Sequence, residues 1–257
     1  MLFPIPVWMR YKQKIPVKVL AWDHTNGSAI TVKKDSGIYH FKDLGGKQIA
    51  VPSWYSMHNL ILQMGIQTQG LTPVIQPQSA PLARHEVNLF ILPPPDMPTA
   101  LLGNKIDGFI VADRFNALAQ VKFGARIMRY SGDIWKNHPC CGFVVTRHFL
   151  KTYPRILTAL VSLFFSAARH LENKTILDQA ALGAGFLAQD QVLVQAALAR
   201  SRINFAPEML VPDTAAIDMI QAYMVDTMGI MPKKIDQDIF VDKTWAQKAL
   251  PEVCIAN

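Results

Sequence analysis

Gly46-Lys47-Gln48-Ile49-Ala50-Val51-Pro52-Ser53-Trp54-Tyr55-Ser56-Met57-His58-Asn59-Leu60 is the stretch whose reading decides the fold. Residues 48–51 read as a short strand behind the turn formers Gly45 and Gly46, and Pro52 stops it. Beyond Pro52 the period changes from two to about 3.6 residues. Met57, Leu60, Ile61 and Met64 recur at helical spacing, and Ser53 or Ser56 offers a cap. A strand that runs straight into a helix start is the unit of an α/β architecture.

The same alternation continues outward. Residues 17–21 and 29–32 read as strands around a turn at 23–28. Residues 87–92, 106–111, 125–130 and 142–146 read as further strands, with short helices after Met97 and Phe115. Residues 66–86 are rich in Gln, Pro, Gly and Ser and read as an irregular loop. From about residue 148 the chain turns helical, over 154–171, 175–199 and 213–228. This layout predicts two lobes, one from residues 1–46 and 142–257 and the other from residues 47–141, with crossings near 33–47 and 141–147.

Composition narrows the function classes. The 257 residues are half hydrophobic and only 18% charged, which excludes disorder over most of the length. The formal charge of +7 is scattered without a basic block, so no nucleic-acid partner is expected. The three cysteines, Cys140, Cys141 and Cys254, are too few and too oddly spaced for a disulfide framework. No CxxC or Cys/His zinc spacing is present, so no metal and no cofactor are expected. The apolar run at 156–168 is shorter than the roughly 20 residues that a bilayer needs. Residues 1–9 lack a basic segment and a cleavage site, so this chain is read as carrying no export signal.

Four stretches can carry chemistry. Trp54, Tyr55, Ser56 and His58 lie at a helix start, where unpaired N–H groups favour anions, although an ordinary capped helix explains them too. Pro93-Pro94-Pro95-Asp96 reads as a strand-to-helix corner. Ala112-Asp113-Arg114-Phe115-Asn116 follows a strand end, where open sheets place ligands; Asp113 either meets a ligand or caps the next helix. Asp133-Ile134-Trp135-Lys136-Asn137-His138-Pro139-Cys140-Cys141 groups an acid, an indole, an imidazole and two thiols, as a binding loop or as packing. GxSxG, P-loop, GxGxxG and HExxH motifs are all absent from the sequence.

Taken in order, Asn26-Gly27-Ser28, Gly46-Lys47-Gln48-Ile49-Ala50-Val51-Pro52, Tyr55-Ser56-Met57-His58-Asn59, Leu92-Pro93-Pro94-Pro95-Asp96, Ile106-Asp107-Gly108-Phe109 and Asp133-Ile134-Trp135-Lys136-Asn137-His138-Pro139 resemble the substrate-binding proteins of nitrate/bicarbonate/sulfonate/taurine-type ABC importers. The resemblance spans residues 1 to about 172 and is closest to the nitrate and bicarbonate branch. It implies a type II periplasmic-binding-protein-like fold that closes its lobes on a small anion or polar solute, without chemistry. It implies ABC permease and ATPase partners, and a periplasmic or membrane-associated location. By the same resemblance the ligand contacts are Ser28, Trp54, Tyr55, Ser56, His58, Ala112, Asp113, Trp135 and Cys141.

Departures from the family pattern matter. Cys141 stands where nitrate-type members carry a lysine, and Asp113-Arg114-Phe115-Asn116 replaces Glu-Pro-Trp-Asn. The loop at 66–86 is longer than usual. Met1 matches an interior point of the family, so the first lobe is read as N-terminally incomplete, which would expose a sheet edge open to homodimerisation. The alternative reading is a pyrimidine-precursor synthase of thiamine biosynthesis or a pyrimidine-binding relative. These share the fold, carry a longer cysteine run near Cys140 and Cys141, and use a histidine.

Overall fold

Eight strands and ten α-helices alternate along the chain in a computed structural model that describes residues 1–78 and 80–252; Cys254 lies outside the described residues. The contacts divide the chain into two units. The first comprises Met1–Thr25, Asn137–Thr175 and the stretch from Asn204 onward; the second comprises Asn26–Lys136 and Ile176–Ile203.

In the first unit, β1 (Val17–Thr25) pairs antiparallel with β8 (Pro139–Thr146). Helix α6 (Pro154–Glu172) turns Leu157, Val161, Phe165 and Ala168 inward at helical spacing. They pack with Leu20 and Ala21 of β1 and with Ala246 and Ala249 of α10 (Thr244–Glu252). Phe3 meets Trp22 edge to face at 4.9 Å between ring centroids. Among the described residues, Leu2 bridges Cys141 and Val241 bridges Val19, so both outer edges of this ribbon are partly occupied.

The second unit is a six-stranded sheet in the order β4-β5-β3-β6-β2-β7. Its strands are β2 (Ser28–Val32), β3 (Lys47–Val51), β4 (Thr72–Val74), β5 (Glu86–Ile91), β6 (Gly108–Ala112) and β7 (Arg126–Tyr130). β3 pairs in parallel with β5 and β6, whereas β2 runs antiparallel between β6 and β7. The C-terminal ends of β3, β5, β6 and β7 therefore share one edge of the sheet with the N-terminal end of β2. Connections from that edge lead to α2 (Met57–Gln67), α3 (Met97–Leu102) and α4 (Phe115–Phe123). Ala50, Phe109 and Val111 of the sheet bury against Met97, Leu101 and Ala119 of these helices.

Two details differ from the sequence reading, in the domain division and in the loop at 66–86. The division places 26–46 and 176–203 in the second unit and 137–141 in the first, with crossings after Thr25, Lys136, Thr175 and Ile203. The reason for 26–46 is β2, buried at every position and paired on both sides. The reason for 176–203 is α8 (Gln191–Arg200), which packs on α4 and on α7 (Ile176–Leu187) and buries Leu193 and Ala197. Residues 5–12 form a helix, α1 (Ile5–Lys12), because Pro6 sits in its first turn, where no backbone donor is needed. The expected loop at 66–86 contains β4, whose Pro73 is tolerated because the strand is at the sheet edge.

Asn26 and Gly27 separate β1 from β2, with φ of 56° and 83°. A Cβ on Gly27 would also lie 3.0 Å from Ile203 Cγ1. Gly27→Ala should cost about 1–3 kcal/mol through backbone strain and this contact. Urea unfolding checks it, and a loss below about 0.5 kcal/mol would contradict the strain argument.

Candidate functional site

Ser28 opens β2 and His58 lies in the first turn of α2, both on the C-terminal edge of the second unit's sheet. Their side chains meet there, with Ser28 Oγ and His58 Nε2 3.0 Å apart and both residues 1% exposed. Local sequence explains how His58 gets there. The Ser53 hydroxyl accepts from Tyr55 N–H, Ser56 Oγ donates to the Ser53 carbonyl, and Ser56 Oγ caps the helix by accepting from Asn59 N–H. Asn59 then donates to the Trp54 carbonyl at 2.9 Å and accepts from Gln63 at 3.0 Å. This chain of bonds fixes the loop after β3, with Trp54 and Tyr55 half-buried beside the buried cap Ser56.

The next loop is held to the same place. Ala112 pairs opposite Ser28, and the Asp113 N–H donates to the Gly27 carbonyl at 2.8 Å. The Asp113 carboxylate accepts from Arg114 and Ala117 N–H, so it caps α4, one of the two roles expected of it. Burial raises the Asp113 pKa, against the lowering effect of those two bonds. Arg114 adopts φ of 96° and lays its guanidinium over Phe115 at 4.7 Å. A strained non-glycine residue at a strand end is a mark of functional loops.

The third loop follows β7. Tyr130 pairs opposite Ala29, and burial first, then the Asp113 charge, raises its pKa. Trp135 is half-buried and its N–H donates to the Ser131 carbonyl at 3.0 Å. Asp133 pairs with Arg202, whose carbonyl accepts from Asn26 at 3.2 Å. The electrostatic influence of Arg200 and Arg202 reaches Tyr130. Tyr130, Arg200 and Arg202 were not found from the sequence, because only the fold brings the end of α8 to this loop.

Eight of the nine expected contact residues thus lie on one unit, at one sheet edge: Ser28 at the start of β2 and the others on or beside the connections after β3, β6 and β7. Cys141 belongs to the other unit, where His24 and Cys140 join it. Hydrogen bonds from Cys140 and then His24 hold the Cys141 thiol down to about 5, against the effect of burial. A groove of about 520 Å³ lies at the opposite edge of the second unit's sheet, but its Lys33 already donates to the Leu102 carbonyl and to Asn104.

Open α/β sheets place ligands at loops on the carboxyl ends of their strands, and these three loops lie there. The NMT1-like family model matches residues 2–183, and the chain belongs to that family. The nitrate/nitrite binding protein NrtA of Nostoc sp. is 26% identical over 192 residues, covering 67% of this chain and 41% of that protein. The chain therefore spans about two fifths of that relative's length. The periplasmic nitrate-binding protein NrtA of Synechocystis PCC 6803 superposes with a TM-score of 0.81 at 13% identity, over 98% of this chain and 73% of that one. The desulfurization enzyme DSZB shares the fold at a TM-score of 0.63 and 13% identity, over 96% of this chain and 83% of that one. The type II periplasmic-binding-protein-like fold is thus established, and the pyrimidine-synthase alternative gains no support from these relatives. Among the described residues no helix is long and apolar enough to cross a membrane.

Because the raised pKa of Asp113 disfavours its ionised form, its stabilising effect is present at low pH and is lost as pH rises above about 3.8. Asp113→Asn keeps an acceptor for the cap without that loss, so its stability relative to wild type should increase from pH 4 to pH 7. Asp113→Ala should lose about 1 kcal/mol with the cap. Urea melts at both pH values test this, and an Asn variant weaker than the Ala variant would refute it.

Proposed function

We propose that this chain is the solute-binding component of an ABC importer, and that it holds a small oxyanion or related polar solute of the nitrate, bicarbonate or sulfonate class. The observation that carries this reading is the buried Ser28–His58 hydrogen bond at the sheet edge, beside the capped start of α2. A buried, directional hydroxyl–imidazole pair next to a helix start, where the helix dipole favours negative charge, suits an anion's oxygens.

Ser56, Trp54, Tyr55, Ala112, Asp113 and Trp135 shape the rest of that site. Cys141 supplies no fixed cation where the resemblance leads one to expect lysine. Positive charge at this edge comes instead from Arg200 and Arg202. Their charge is diffuse and partly offset by Asp133, which favours a solute that is more than a bare monoanion. Permease and ATPase partners, and a periplasmic location, belong to the same proposal. It is a proposal of binding without turnover.

Thermal shift against nitrate, bicarbonate, taurine, alkanesulfonates and pyrimidines tests it. A ligand at 100 times its dissociation constant should add about 2.7 kcal/mol to stability. Ser28→Ala and His58→Gln should each weaken that ligand about tenfold or more, which is about 1.4 kcal/mol. The solute should be recovered unchanged by mass spectrometry. A cooperative melt that no solute moves, or a new product in the recovered pool, would overturn the reading.

A further inference from the structure

We infer that His24, Cys140 and Cys141 form a site for one soft d10 cation, Zn2+ or Cu+, held by two thiolates and an imidazole. The inference goes beyond the solute site and does not depend on it, since all three residues lie in the first unit.

The geometry starts from an irregular strand pair. The β1–β8 register shifts between Val19 and Ala21, pairs Trp22 with Gly142, and then shifts on either side of His24, so that His24 opposes Cys141 and Thr25 opposes Pro139. Cys140 is left with no residue opposite it. In an undisturbed strand, adjacent side chains point to opposite faces. A bulge bends the strand and re-aims the extra residue. Here one ligand atom from each of His24, Cys140 and Cys141 falls within 4.8 Å of the others. Zinc bonds of about 2.3 Å to sulfur and about 2.0–2.1 Å to nitrogen, at tetrahedral angles, place ligand atoms roughly 3.6–3.8 Å apart. A closure of about 1 Å or less completes the set.

The thiols are also held in place before any metal arrives. The Cys140 carbonyl accepts from the Phe3 N–H at 3.0 Å, and Leu2 bridges Cys141. The strand carrying both sulfurs is therefore clamped from the side away from β1. Cys140 is fully buried, whereas Cys141 and His24 are partly exposed, so the group is shielded on one side and reachable from the other. That leaves a fourth position for water or another small ligand. Neither thiol is in a disulfide.

An independent observation concerns the imidazole. His24 Nδ1 is buried and has no hydrogen-bond partner, while the ring rests 6.2 Å from Phe205. A fixed imidazole with unused buried bonding capacity is costly in an apolar setting. The ring already bonds Cys141, and Nδ1 is the nitrogen left for a further partner. Two sulfurs and one nitrogen select a soft or borderline ion over Mg2+ or Ca2+, which prefer oxygen. Binding would release the thiol protons to solvent and change no oxidation state.

The test uses the untagged, reduced full chain, stripped of metal. Zn2+ is titrated against a chromophoric chelator, and Cu+ against bicinchoninate without oxygen; the two arms decide which ion is preferred. One ion per chain is expected, with Cys140→Ser, Cys141→Ser and His24→Gln each weakening it about tenfold or more. Co2+ in place of Zn2+ should give a thiolate charge-transfer band that both serine variants lose. If a variant fails to fold by circular dichroism, wild-type protein still decides, because bound metal should slow alkylation of Cys140 and Cys141 in peptide mapping. Less than one ion per chain, unchanged affinity in all three variants, or equal alkylation with and without metal would each overturn the inference.

Discussion

Everything in the second unit's sheet edge rests on the backbone of Asn26 and Gly27. These two residues take up the left-handed region between β1 and β2, and only a short, permissive pair can do so. The turn ends one ladder and starts another: β1 stays with β8, and β2 enters between β6 and β7. A slip of one residue here would send Ser28 to the other face of its sheet and break its bond to His58. The surroundings hold the turn from both sides. The Asn26 carboxamide donates to the Arg202 carbonyl, the Gly27 carbonyl accepts from Asp113 N–H, and Ile203 fills the space where a Gly27 side chain would go.

The strands and long helices were legible because each is coded locally. Lys47–Val51, Glu86–Ile91 and Arg126–Tyr130 follow their apolar runs to within a residue or two, and α6 follows its apolar stripe. What was not legible is which element packs on which. The apolar run at 28–32 reads as a strand in either lobe, and its place at the centre of a sheet depends on partners far along the chain. The helices at 176–200 were visible, but their attachment to α4 rests on Leu193, Ala197 and a Lys122–Asp190 ion pair of 3.7 Å. Proline misled once: the Pro-rich run at 66–86 was read as loop, although Pro73 sits in an edge strand, where a missing N–H costs little.

The site divides along the same line. The placement of Trp54 to His58 and of Ala112 to Asp113 at strand-to-helix connections could be read because such connections are coded locally. The direct Ser28–His58 contact is long-range in sequence, and only the resemblance brought Ser28 forward. His24 was passed over altogether. It lies in what reads as a turn, with no neighbouring cysteine, and the β1–β8 ladder alone brings it to Cys140 and Cys141.

The two polar clusters solve the same electrostatic problem in opposite ways. In the proposed solute site, the bonded Ser28–His58 pair presents a buried, neutral polar surface at the sheet edge, beside the helix start that Ser56 caps. Such a site gains little from charge alone and much from geometry, because a ligand that misses a donor leaves it unpaired in a dry place, at about 1–3 kcal/mol each. It should therefore discriminate by shape and oxygen placement more than by charge. Around Cys141 the logic reverses. Under the proposed metal site, two thiols and an imidazole gathered within 4.8 Å present soft donors, which attract a cation where the sheet edge would hold an anion.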